Sequence, residues 1–118
     1  YTVAIKDWRS DDEGRVRMED KNGRPYMMPI LEVVGCPEAE YAKDFSHFLR
    51  LPHSDMDKKE RNNTNYRVGE FFRAFGIDYS QRIDIQNTIG RTADAILAKN
   101  DDPEYGEQNR VKRFVTGH

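Results

Sequence analysis

The chain has 118 residues, 36% hydrophobic and 34% charged, with 19 basic side chains against 21 acidic and a formal net charge of -2. That length fits a single domain over 1–118, and the near-balance of charge excludes a histone-like or polybasic protein, so any polyanion must be met by local basic patches. The lone cysteine, Cys36, excludes an internal disulfide framework or a cysteine-cluster zinc site. No apolar run reaches the length of a membrane span, and a cytoplasmic location is expected.

Along the chain, Tyr1, Val3 and Ile5 alternate with Thr2, Ala4 and Lys6, the period of a half-buried strand; the same alternation puts Trp8 on the outward phase with Lys6. The chain opens inside this strand without a methionine, so the natural termini, with any disordered or acidic tail, are expected to lie outside it. The polar stretch "RSDDEGRVRMED", 9–20, reads as a loop or a mobile hairpin extension. Asn22-Gly23 then signals a tight turn. A second strand runs from about Arg24 to Val34, with Met27, Leu31 and Val33 on one face and Tyr26, Met28 and Ile30 on the other. That second apolar face is either buried in protein or meant to touch a partner. Pro29 has no N–H and demands a bulge or a different strand assignment.

"GCPE" at 35–38 ends the second strand, and a third covers "YAKDFSHFLRL", 41–51. Its phase sets Phe45, His47, Leu49 and Leu51 inward and Asp44, Ser46, Phe48 and Arg50 outward. After Pro52 the period becomes helical. Asp57 with Glu60 resembles a capping box, and Val68, Phe71, Phe72 and Phe75 share one face that ends at Gly76. Asn62-Asn63-Thr64 are poor helix formers, which moves the expected start to about Asn65 and leaves 53–63 as loop. "IDI" at 83–85 is read as a brief pairing. Residues 91–99 and 109–116 are read as two strands joined by the polar loop "NDDPEYGEQ".

Three strands, a helix and two strands make a mainly β chain in the order of an OB-fold, a five-stranded Greek-key barrel with one helix between strands three and four. The ligand face of such a barrel is the outside of strands two and three, flanked by the loops after strands one and four.

In that order "YTVAI", "KNGRPYMMPILEV", "FFRAFGID", "IGRTADAILAK" and "YGEQNRVKRF" resemble a family of phage and prophage proteins, small OB-fold single-stranded DNA-binding proteins encoded among replication and recombination genes. The resemblance runs from about Tyr1 to Phe114. It implies single-stranded DNA as ligand, and phage replication or recombination proteins and further copies of the chain as partners. It also implies the cytoplasm of an infected or lysogenic bacterium as the place of action. Pro29 in a central strand departs from the pattern, as do the acidic loops at 11–13 and 101–107.

Single strands are held by aromatic platforms beside cations. Trp8, Tyr26 and Phe48 on the outward phase, with Lys6, Arg24 and Arg50 near them and Lys21 in the turn, form the candidate surface. Tyr105, at the tip of the last loop, is a second stacking candidate, and Arg110, Lys112 and Arg113 can meet phosphates. The rival reading is a protein-interaction module on the same barrel, for phage assembly or host-factor binding, with Met28 and Ile30 as its patch.

His47, His53, Asp44, Asp55 and Asp57 fall within fourteen residues but show no recognised ligand spacing, and His47 falls on the inward phase. Cys36 has no nearby base, and neither "VGCPEAE" nor "NTIGRTA" is a phosphate-binding glycine loop. The expectation is a non-enzymatic protein without metal or cofactor.

Overall fold

Asp20 builds the turn that Asn22-Gly23 signals. Its carboxylate accepts the backbone N–H groups of Asn22 and Arg24 at 2.8 and 3.0 Å, and Gly23 takes a φ of 76°, where a side chain would be strained. The computed structural model describes residues 1–35, 44–79, 83–102 and 106–115, with 99–102 and 106–109 described by their backbone alone. The elements are β1 (Thr2–Trp8), β2 (Met18–Glu19), β3 (Pro25–Met27), β4 (Pro29–Val34), β5 (Phe45–Ser46), β6 (Leu49–Arg50), α1 (Lys58–Ala74), β7 (Thr92–Asp102) and β8 (Gly106–Val115). They form a five-stranded antiparallel sheet in the order β5-β4-β1-β7-β8 and a three-stranded one in the order β2-β3-β6.

The five-stranded sheet curls until its two edges, β5 and β8, approach each other, giving a half-barrel with one helix, compatible with an OB-like barrel. The expected second and third strands are each broken in two. β3 and β6 belong to the small sheet, while β4 and β5 belong to the large one. The breaks face each other. Pro29 sits at the first, fully buried, and its carbonyl accepts the N–H of His47 at the second at 2.9 Å. A proline that cannot donate is thus placed where the chain leaves one sheet for the other.

A bulge lies in the partner strand instead. In β1 Ile5 pairs with Leu31 and Asp7 with Ile30, so Lys6 is the extra residue. The bulge shifts the phase of everything after it by one residue. Trp8, expected outward with Lys6, therefore falls inward with Ile5 and is only 5% exposed. β8 repeats the device: Arg113 pairs with Ile96 and Val111 with Leu97, leaving Lys112 as the extra residue. Both Phe114 and Val111 can then face the core although they are three apart.

Residues 9–20 end in β2, which pairs with β3 through Met18 and Glu19. The helix begins earlier than its composition suggests, at Lys58 instead of Asn65. Asp57 caps it by accepting the Glu60 N–H at 2.8 Å, and burial of its apolar face outweighs the weak propensity of Asn62 to Thr64. At the other end Gly76 takes a φ of 68° and Ile77 donates back to the Phe72 carbonyl at 2.8 Å. Ile83 and Asp84 do not pair; Asp84 instead caps a 3-10 turn over Ile85–Thr88 by accepting the Gln86 N–H. β7 and β8 each run farther into the expected polar loop than their apolar pattern does, since backbone pairing continues to Asp102 opposite Gly106.

The core centres on Phe71, 1% exposed, whose ring meets those of Trp8, His47, Phe72, Phe75 and Phe114. α1 lays this face against β6, β7 and β8. No helix among the described residues is long and apolar enough to cross a membrane.

Candidate nucleic-acid interface

The outer face of the small sheet gathers three of the expected residues. Pro25 and Met27 of β3 and Leu49 of β6 turn toward the core, so Tyr26, Phe48 and Arg50 turn away from it. Tyr26 pairs directly with Arg50 on β6 and with Met18 on β2. Its ring stacks on that of Phe48, centroids 5.0 Å apart and planes 26° from parallel. The Arg50 guanidinium lies 6.0 Å from the Phe48 centroid, within cation–π range. Phe48 is 47% exposed, a large apolar ring left in water beside a cation.

Such a pair offers a flat, preassembled π surface that a base can extend, with a charge positioned for its phosphate. Arg24 and Lys21 stand exposed on the adjoining turn. Asp20, which holds that turn, has its carboxyl below the usual range, chiefly through the Arg24 backbone N–H and further through that of Asn22 and the charges of Arg24 and Arg50. It stays ionised and tempers the positive potential of the patch. The positive potential of the patch therefore rests on a few local cations.

Two expected residues stand elsewhere. Trp8 packs edge-on against Phe71 at 6.0 Å and donates its Nε1–H to the Thr88 hydroxyl at 2.7 Å, so its ring offers no face to a base. Lys6 is exposed but paired with Asp44, which raises its pKa first by hydrogen bonding and then by charge, with Glu32 adding to the effect. Tyr105 and Cys36 lie outside the described residues.

No family model, curated protein or solved structure matches the chain.

Between β6 of the small sheet and β8 at the edge of the curled one runs a groove of about 1010 Å³ with α1 along it. Phe48 and Arg50 form its lip, Lys112 and Arg113 stand on the β8 side, and Tyr66 and Arg67 stand on the helix. Arg110 is exposed on the same strand, two residues from Lys112. His47 forms part of the groove wall, its ring parallel to Phe71 at 5.8 Å, and burial pushes its pKa down to about 4. It is neutral at physiological pH and adds no charge. Sequence reasoning misses Tyr66 and Arg67, although the basic run from Lys58 to Arg73 and the helical spacing that puts Glu60, Asn63 and Arg67 on the same side as Phe71 carry the signal. Among the described residues, no group of three or more His, Cys, Asp or Glu side chains could hold a metal ion.

Proposed function

We propose that this chain is a single-stranded DNA-binding protein of phage type, built on an OB-like barrel, that coats exposed strands during replication or recombination without catalysing a reaction. The observation that carries the reading is the exposed Phe48 ring, stacked on half-buried Tyr26 and with Arg50 within cation–π range of it. Stacking supplies affinity without base preference, about 1–3 kcal/mol per base, because every base has a π face. The net charge of -2 keeps general attraction to polyanions low, so binding depends on local cations. The expected partners are DNA, further copies along the strand and other phage replication or recombination proteins, in the bacterial cytoplasm.

A salt series with a fluorescent oligothymidylate tests this. Arg50→Glu should weaken binding to every oligonucleotide and flatten the log affinity against log salt by roughly 0.7 for each phosphate that Arg50 neutralises. Wild-type protein that leaves the oligonucleotide unbound in low salt would remove the reading.

A protein-interaction module is the second reading, and one observation favours it. Ile96 and Val115 are exposed on β7 and β8 at 38% and 44%, and their partners Arg113 and Asp94 place them diagonally on one face. Ile96→Ser, which puts no charge beside Arg113, would then lower the oligomer mass or abolish capture of a protein partner while leaving single-strand affinity per subunit unchanged.

A further inference from the structure

The groove between β6 and β8 is continuous with the stacking platform, because Phe48 and Arg50 belong to both. We infer that the groove is a second nucleotide-binding segment, into which a single strand leaving the Tyr26–Phe48 platform runs between α1 and β8. This rests on the reading just proposed and assigns the helix a direct part in it.

Four cations line the path: Arg50, Arg67, Lys112 and Arg113. All are exposed, and none forms an ion pair with another described residue. Cations that converge on one groove without an ion-pair partner are available to a phosphate. The bulge in β8 contributes directly, since it sets Lys112 and Arg113 opposite the single residue Ile96 and brings both side chains to the groove. The helix carries the opposing charge, Glu60 and Glu70, on the far wall. Those carboxylates repel phosphate toward β8, where no acid lines the groove; Arg67 is the cation the helix contributes, and the rest of its side is left to base edges. Asn63 can donate and accept there, and Tyr66, 65% exposed with Arg73 5.9 Å from its centroid, adds a second aromatic ring. Between them half-buried Val111 presents apolar surface, with the core residues Leu49 and Phe114 behind it, suiting the face of a base more than a charged backbone.

The test is a length series of oligothymidylates, read by fluorescence anisotropy, on wild-type protein, a groove variant and a platform variant. The groove variant is Arg67→Gln, Lys112→Gln, Arg113→Gln; the platform variant is Tyr26→Ala, Phe48→Ala. The three groove residues are exposed, so a thermal melt should match wild type and certify the fold.

The expected result is that the groove variant equals wild type on oligomers of about four nucleotides and falls behind by on the order of tenfold on longer ones. Its salt slope should be shallower by roughly two. The platform variant should lose affinity at every length. A groove variant that follows wild type at every length overturns the groove while the platform stands. Loss in the groove variant with an unaffected platform variant keeps the groove and removes the platform. Wild-type protein that binds no oligomer overturns both.

Discussion

Thr88 is 1% exposed, and its hydroxyl sits between two partners: it accepts the Trp8 Nε1–H at 2.7 Å and donates to the Ile85 carbonyl at 2.6 Å. Thr88→Val keeps the shape and deletes both bonds. The missing indole acceptor matters most, because an unmatched donor in a packed core costs about 1–3 kcal/mol. Thr88→Ser keeps the hydroxyl and removes one methyl, for about 0.8 kcal/mol. Trp8 is the chain's one tryptophan, so its emission in a urea titration reports the site directly. The expected order of stability is wild type, then Thr88→Ser, then Thr88→Val, with the valine midpoint clearly lowered and the urea slope unchanged. A valine variant as stable as wild type, or more stable than the serine variant, would refute the account of Trp8 as a hydrogen-bonded core residue.

His47 gives a pH dependence. Burial lowers its pKa from the ordinary 6.5 to about 4, so between those values the unfolded chain binds a proton that the folded chain does not. Its contribution makes stability fall as pH drops through that window, by up to about 1.4 kcal/mol per unit, and His47→Phe should flatten the slope in urea titrations from pH 7 to 4. Asp57→Ala removes the N-cap of α1 and should cost about 1 kcal/mol, read from the urea midpoint, with Asp57→Asn costing less.

The fold is legible in the sequence wherever the ladder is regular. Alternation in "PYM" and "LR" puts Tyr26 and Arg50 outward and Leu49 inward, and the structure has them so. Alternation fails at Trp8 because a bulge has no composition of its own: nothing about Lys6 or Lys112 marks it as an extra residue until the partner strand is known. The same limit hides the break at His47, while the missing N–H of Pro29 marks the other break in the sequence as a place for a bulge or a different strand assignment. Asn62 to Thr64 mislead on the helix start because local propensity is weaker than the Asp57 cap together with the burial of Phe71 and Phe72. The groove is the least legible feature, since its walls come from β6, α1 and β8, distant in the chain and joined only through the curl of the sheet.

The central claim is that the Tyr26–Phe48 ring pair stacks on bases, and the most direct measurement is oligothymidylate affinity of Tyr26→Ala beside Tyr26→Phe. The hydroxyl makes no hydrogen bond with a described residue, and a stack between half-buried Tyr26 and exposed Phe48 contributes roughly 0.2–1 kcal/mol to folding, so both variants should remain folded. The account predicts a loss of about 1–3 kcal/mol for alanine and almost none for phenylalanine. Equal affinity in all three proteins, or a phenylalanine variant as weak as the alanine one, would contradict it.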